Sequence, residues 1–95
     1  MNKYELAVIV KANLDEEATK AEFEKVNKLI ERFGGEIESE DNWGKRRLAY
    51  EIQKQTEGIY NFIKFNAPGT APAEIESRLR ISENLLRYLI FRVEA

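Results

Sequence analysis

The order of strand-like and helix-like patterns restricts the fold of this chain more than any other feature of its sequence. Residues Lys3–Val10 alternate as a strand does, and both faces are partly apolar, which is typical of a central strand. Asp15 then offers a helix N-cap. Gly34-Gly35 predicts the end of that helix, because glycine adopts the left-handed conformation at little cost. Between them runs an apolar stripe at helical spacing, which consists of Phe23, Val26, Leu29, Ile30 and Phe33.

A long second strand is predicted from Glu36 to Ile52. Ile37 falls on one face of this strand, whereas the apolar residues that alternate from Leu48 to Ile52 fall on the other. The change of face requires an extra residue between them. Gly44 is the natural place for such a bulge, because glycine tolerates the distorted backbone.

The remaining elements follow after a turn predicted at Lys54–Gly58. A third strand is expected at Ile59–Phe65. A second helix follows, with Thr70 as its candidate N-cap and Pro72 in its first turn. A fourth strand is expected at Leu85–Val93.

This order, strand–helix–strand–strand–helix–strand, fits an α+β, ferredoxin-like βαββαβ split sandwich. Right-handed crossovers then place both helices on one face of a four-stranded antiparallel sheet, with the first and third strands in the centre. We expect one domain that spans residues 1–95. The other sheet face would be open, with Ala7 and Leu89 on it, and four of its apolar side chains form a possible partner surface. These four are Ile9, Tyr60, Phe62 and Phe91.

Three consecutive cations, Lys45, Arg46 and Arg47, stand directly before the apolar alternation that starts at Leu48. If that alternation anchors the strand in a core, the cations are held at a fixed place on the surface. Two guanidinium groups suit phosphate, because each can donate two parallel hydrogen bonds to its oxygens. The alternative is a charged strand edge that simply stays in solvent, as most runs of charge do.

The formal net charge of −2 does not fit a simple nucleic-acid binder, which is usually basic. Two arrangements would reconcile the negative net charge with nucleic-acid binding: either the cations concentrate on one surface, or a basic partner shares the contact. Acidic residues gather at 15–17 and 36–41. The latter group is expected to keep a sheet edge in solvent, with contact to a basic partner as the alternative. Cations crowd the C-terminal part, at Arg78, Arg80, Arg87 and Arg92.

The residue types argue against an enzyme. Cysteine and histidine are absent, so neither a Cys/His metal set nor a histidine general base can form. No glycine-rich phosphate loop links the first strand to the helix, where the sequence reads Lys11-Ala12-Asn13-Leu14. No apolar run is long enough for a membrane span, and the lack of cysteine fits a reducing cytosol. We expect no catalytic residue, metal site, cofactor or small-molecule substrate.

The run Gly44-Lys45-Arg46-Arg47-Leu48-Ala49-Tyr50-Glu51-Ile52 resembles the signature of the bacterial small-subunit ribosomal protein six family, Gly-Lys/Arg-Arg-x-Leu-Ala-Tyr-x-Ile. Two stretches that would be weak alone agree with it. One is Tyr4-Glu5 ahead of an apolar strand. The other is Leu79–Asn84 followed by Leu86-Arg87-Tyr88. The resemblance covers nearly the whole chain and implies the same ferredoxin-like fold.

The resemblance also implies a function. Members are structural constituents of the bacterial small ribosomal subunit, in the cytoplasm, and bind the central domain of small-subunit (16S) rRNA. They bind as a heterodimer with ribosomal protein eighteen, a small basic chain. The cations of this partner would reconcile the negative net charge of this chain with RNA binding. Recognition would depend on RNA shape more than on base edges. The residues expected at the RNA or the partner are Lys3, Tyr4, Lys45, Arg46, Arg47, Arg80 and Arg87.

Two other functions fit the pattern without the resemblance. One is a ferredoxin-like regulatory or oligomerising module that uses the open sheet face and binds no RNA. The other is a protein-interaction scaffold. Trp43 is expected to be a packing residue, with base stacking as its alternative role. Binding to small-subunit RNA, with and without a basic partner, would distinguish these functions.

Overall fold

Strands and helices follow one another in the predicted order in the computed structural model, which describes residues 2–93. The strands form an antiparallel sheet with the order β2-β3-β1-β4, so the first and third strands are central as predicted. The ferredoxin-like α+β fold is therefore confirmed. The ends of the predicted 1–95 domain, residues 1 and 94–95, lie outside the described residues. The elements are β1 (Asn2–Lys11), α1 (Glu16–Arg32), β2 (Glu36–Ile52), β3 (Gln55–Ala67), α2 (Ala71–Leu79) and β4 (Leu85–Arg92).

The hydrophobic core lies between the two helices and one face of the sheet. Alternate residues of β1 and β3 are buried on this face, while those between them point to the other side. The helices contribute their apolar stripes, and Tyr88 and Ile90 of β4 pack at the margin. Among residues 2–93, no helix covers the opposite sheet face. The buried side chains of the core include Tyr4, Leu6, Val8, Val10, Phe23, Val26, Ile30, Ile63, Phe65, Ala67, Ile75 and Leu79.

Asp15 and two glycines set the ends of α1, as the sequence predicts. The Asp15 Oδ1 atom accepts a 2.7 Å hydrogen bond from the Ala18 N–H, which satisfies one of the free donors of the first turn. At the other end Gly34 has a φ of 84°, and the Gly35 N–H donates to the Ile30 carbonyl at 2.9 Å. This pattern is a Schellman motif, which closes the helix and directs the chain into β2.

The pairing of β2 with β3 is interrupted by bulges. The register shifts between Asn42 and Gly44, where Gly44 has a φ of 74° and its N–H donates to Asn42 Oδ1 at 2.8 Å. The bulge predicted at Gly44 is confirmed. Two more shifts, which the face pattern did not indicate, lie between Ile37 and Ser39 and between Arg47 and Ile52. Each bulge bends β2 and increases its twist.

The turn between β2 and β3 differs from the prediction. The chain reverses at Gln53-Lys54, whose φ angles are 49° and 63°, and Ile52 pairs with Gln55. A two-residue turn with both residues left-handed matches the twist of the flanking strands. The turn predicted at Lys54–Gly58 is therefore wrong, and β3 begins before the predicted Ile59. Neither turn residue is glycine or asparagine, so the usual sequence signal is missing.

Helix α2 is short and begins after Thr70, whose side chain makes no capping hydrogen bond. Pro72 lies in its first turn, where its missing N–H has no helical partner to lose. Ile75 and Leu79 are buried against the sheet. In the part of the chain that the structure describes, no helix has the length and apolar character needed to cross a membrane.

Candidate nucleic-acid and partner interface

Lys45, Arg46 and Arg47 lie exposed on β2, opposite residues 57–59 of β3. The ion pairs formed within residues 2–93 involve other side chains, although the carboxylate-bearing Glu57 is the register partner of Arg47. Because strand side chains alternate, Arg46 lies on one face of the hairpin and its two neighbours on the other. We call residues 45–52 of β2 the basic arm.

Leu48 anchors the basic arm, but not in the core between sheet and helices. It is only 9% exposed, yet it is absent from the core cluster. A Cβ built on Gly58 would overlap Ile9 Cγ2 and lie 3.4 Å from Leu48 Cδ2. Ile9 alternates with the core residues of β1 and therefore belongs to the open face. The expected anchoring is thus present on the opposite side of the sheet, because the twisted hairpin folds over that face.

Tyr50 shows how far the basic arm reaches. Its hydroxyl accepts a 2.7 Å hydrogen bond from Arg87 Nη1, although β2 and β4 are the two outer strands of the sheet. Arg87 pairs in register with Ile9, the residue beneath Leu48. The arm therefore crosses the sheet and brings the predicted site residue Arg87 beside the segment that carries the three cations. Tyr50 itself was not among the predicted site residues.

The remaining predicted cations do not join this group. Lys3 pairs with Asn66 at the far end of β1, six residues from Ile9, which corresponds to roughly 20 Å along a strand. Arg80 caps the end of α2 and lies 3.9 Å from Glu76 Oε1, on the helical side of the molecule. Contact of either residue with RNA or a partner stays a prediction.

Tyr4 differs from the other predicted site residues because its ring is buried. The ring packs against Phe65 with a centroid distance of 5.7 Å, and the Tyr4 hydroxyl accepts a 3.2 Å hydrogen bond from Asn2 Nδ2. The alternation of β1 places Tyr4 on the same face as the buried Leu6 and Val8. Its role at an interface stays a prediction, and burial in the core counts against direct contact.

Aromatic and aliphatic side chains cover the middle of the open sheet face. The strand registers align Tyr60 beside Ile9, place Phe62 and Leu89 on opposite sides of Ala7, and align Phe91 beside Glu5. Trp43 packs on Phe62 with a ring-centroid distance of 4.6 Å, and it remains 50% exposed. This exposed apolar area adjoins the arm and has the character of a protein-binding site. We call it the open-face patch; it comprises Trp43, Tyr60, Phe62, Leu89 and Phe91.

One acidic residue of β2 has a structural role that the sequence did not reveal. Glu40 Oε1 accepts a 2.8 Å hydrogen bond from Asn61 Nδ2, and Glu40 Oε2 accepts one of 3.1 Å from Asn27 Nδ2. Asn61 is fully buried in β3, so its amide needs such a partner. Glu40 thus links α1, β2 and β3 rather than serving only to keep an edge in solvent.

The site offers binding groups and no set of ligands for a metal. Within residues 2–93, no group of three or more Asp or Glu side chains is arranged to hold an ion. What the geometry provides is a cluster of cations on the two faces of one strand, beside an apolar surface. Such a combination can bind a phosphate backbone and a protein at the same time.

Comparison with known proteins gives one consistent family. The family model described as ribosomal protein S6 matches residues 3–92. The small ribosomal subunit protein bS6 of Clostridium kluyveri is 48% identical over 94 residues, 99% of each chain. That of Clostridium acetobutylicum is 45% identical with the same coverage, and that of Moorella thermoacetica is 40% identical over 99% of this chain and 96% of its own.

A solved structure agrees with the sequence relatives. The crystal structure of 30S ribosomal protein S6 from Thermotoga maritima superposes with a TM-score of 0.92 and 34% identity, covering 97% of this chain and 87% of that one. These relatives are ribosomal structural proteins, which confirms the expectation that the chain is not an enzyme. Bacterial ribosomes are cytoplasmic, so membership of a ribosomal family confirms the predicted location. The chain belongs to the ribosomal protein S6 family of the small ribosomal subunit.

Proposed function

We propose that this chain binds the central domain of small-subunit (16S) rRNA together with ribosomal protein eighteen, as a heterodimer within the small subunit. The observation that carries the proposal is the basic arm: three exposed cations, free of ion pairs in residues 2–93, stand directly before Leu48 and Tyr50, the two residues that tether the strand. Leu48 holds the arm to the sheet and Tyr50 bonds to Arg87.

The two parts of the site suit two different partners. RNA phosphates match Arg46 and Arg47, because guanidinium groups donate paired hydrogen bonds to phosphate oxygens. A protein partner matches the open-face patch, because exposed aromatic and aliphatic side chains gain most from burial against another apolar surface. Arg87 lies where the two parts meet, since its register partner is Ile9 and its guanidinium bonds to Tyr50.

The charge of the chain supports a shared contact. With a net charge of −2 the chain alone has no long-range attraction for RNA, and only its local cluster favours phosphate. A small basic partner on the open-face patch would add cations next to the basic arm. The combined surface would then bind RNA more tightly than either chain does alone.

The test is RNA binding across a salt series. The 16S central domain would be titrated with this chain alone, with ribosomal protein eighteen alone, and with both together. The double variant Arg46→Ala/Arg47→Ala should lower affinity of the heterodimer and reduce the log–log salt slope by roughly 1.5, since each lost phosphate contact contributes about 0.7–0.9. Far-UV circular dichroism should be unchanged, because both side chains are exposed.

A matched control is available on α1. Lys20→Ala/Lys28→Ala also removes two exposed cations, neither of them ion-paired within residues 2–93, and it should leave the salt slope unchanged. Equal losses in both double variants would mean that only total charge matters, and the basic arm would have no special role. A heterodimer that binds the central domain no better than an unrelated RNA duplex would refute the proposal.

A second function, homo-oligomerisation through the open-face patch without RNA, is favoured by the exposure of Leu89 and Phe91. Sedimentation equilibrium of the isolated chain would decide between the two. A stable homodimer that excludes ribosomal protein eighteen and lacks RNA affinity would support the second function.

A further inference from the structure

A groove between α1 and α2 lies on the helical side of the sheet, away from the open-face patch. Its volume is about 430 Å³. The groove exists because the helices differ in length: α1 has 17 residues and α2 has 9, which correspond to roughly 25 Å and 13 Å at 1.5 Å per residue. The shorter helix leaves part of the flank of α1 uncovered.

The groove has an apolar floor and a cationic rim. Val26, Leu29, Leu79 and Leu85 form the floor, and Ile81 stands at its edge with 74% of its surface exposed. An isoleucine so exposed gains nothing from the fold and would gain from burial by a partner. Among the described residues that line the groove, four are cations around the floor and one, Glu22, is an acid. The cations are Lys25, Lys28, Arg32 and Arg78.

Glu22 is an independent sign that the groove takes a ligand. It is only 7% exposed, and its Oε1 atom accepts a 2.8 Å hydrogen bond from Asn84 Nδ2. Its Oε2 atom is buried, and no donor in residues 2–93 reaches it. A buried carboxylate oxygen without a donor is unfavourable, and folded proteins rarely leave one. Rotation of the Glu22 side chain would bring this oxygen to the groove surface, where an occupant that carries an N–H or ammonium group would satisfy it.

We propose that this groove binds a short, acidic, amphipathic segment of a protein partner. Apolar side chains of the segment would cover the floor and Ile81, its carboxylates would face the four cations, and one donor would reach Glu22 Oε2. RNA fits less well, because phosphates gain nothing from an apolar floor and are repelled by Glu22. The site lies on the other side of the sheet from the basic arm, and its occupancy does not depend on rRNA binding.

The test uses a defined probe, a fluorescein-labelled helical peptide. Its leucines recur at i, i+3, i+4 and i+7, its other positions carry glutamate, and one central position carries lysine. The control peptide has every glutamate replaced by lysine. Fluorescence anisotropy should show binding of the acidic peptide and at least about tenfold weaker binding of the control. Amide chemical shifts of the ¹⁵N-labelled chain should change on α1, α2 and near Ile81.

Variants of the chain locate the contact. Ile81→Ser and Lys28→Glu should each weaken the acidic peptide about tenfold, by removing apolar contact and by reversing a rim charge. Lys20→Glu is the matched control, since Lys20 is exposed on the same helix and does not line the groove. It should leave affinity unchanged within twofold. Circular dichroism would verify that each variant is folded.

Three results would overturn the proposal. The first is no binding of the acidic peptide at millimolar concentration. The second is an equal effect of Lys20→Glu and Lys28→Glu, which would mean non-specific charge attraction. The third is loss of 16S central-domain binding in Lys28→Glu and Ile81→Ser, which would assign the groove to RNA. Failure of the rRNA proposal, in contrast, would appear in the Arg46→Ala/Arg47→Ala variant and leave peptide binding intact.

Discussion

Gly58→Ala tests how closely the basic arm and β1 approach each other. Gly58 lies inside β3, where glycine is usually unfavourable, so a close contact must justify it. A Cβ there would overlap Ile9 Cγ2 and would lie 3.4 Å from Leu48 Cδ2 and 3.5 Å from the Val10 carbonyl oxygen. Relief of the overlap requires movement of Ile9, which sits on a central strand.

The magnitude follows from two opposing effects. Forcing one extra methyl group into a packed site costs about 1–3 kcal/mol. Replacing glycine by alanine returns about 0.5–1 kcal/mol, because the unfolded chain loses conformational freedom. The free energy of unfolding should therefore fall by about 1.3 kcal/mol, the difference between the midpoints of these two ranges. In a domain of this size that corresponds to a melting temperature lower by roughly 5–10 °C.

Urea unfolding monitored by circular dichroism would measure the effect. The midpoint should fall while the m value stays the same, since the surface exposed on unfolding is unchanged. Gly69→Ala is the matched control. A Cβ at Gly69 meets only Asn2 Nδ2, at an ordinary 3.5 Å, so this variant should be as stable as the natural chain or slightly more stable.

A double-mutant cycle tests the proposed cause. Ile9→Ala removes the methyl group that the new Cβ would meet, so the two substitutions together should cost less than the sum of their separate effects, by about 1 kcal/mol. The reasoning would be refuted if Gly58→Ala proved as stable as the natural chain, or if the two effects simply added.

Two further substitutions test other parts of the structure. Asp15→Ala should lower the free energy of unfolding by about 1 kcal/mol, because it removes the hydrogen bond to the Ala18 N–H. Thr70→Ala, at an N-cap without such a bond, should cost less than about 0.5 kcal/mol, and equal costs in urea unfolding would contradict this account. Leu89→Glu should leave the urea midpoint unchanged, since Leu89 is exposed, while isothermal titration should show at least about tenfold weaker binding of ribosomal protein eighteen. Unchanged affinity would remove the open-face patch from the proposed interface.

Local chemistry explains why much of the fold could be predicted. The ends of α1 depend on Asp15 and Gly34, whose side chain and backbone act within a few residues of the helix. The bulge at Gly44 follows from a change of face that can be counted along β2. The family signature indicated where the cations lie, and the structure adds that they stand on a tethered strand.

The features that could not be predicted depend on contacts between distant residues. The Gln53-Lys54 turn uses residues that rarely adopt left-handed angles, so it is imposed by the strands on either side. The path of the arm across the open face depends on the accumulated twist of the hairpin, which no local pattern records. Leu48 was therefore expected in a core and lies on the opposite side. Tyr50 and Arg87 are 37 residues apart in the sequence, so no local sequence pattern predicts the hydrogen bond between them.

The bulges of β2 have a consequence for the free protein before it is assembled. β2 is an outer strand, and its unpaired backbone groups could template the addition of an identical strand from another molecule, as in amyloid. The shifts at Ile37–Ser39 and Asn42–Gly44 break the regular spacing of those groups, and Glu38 places charge along the same margin. In a newly synthesised chain the β2 edge is thereby made a poor template for the strand addition that starts fibril growth.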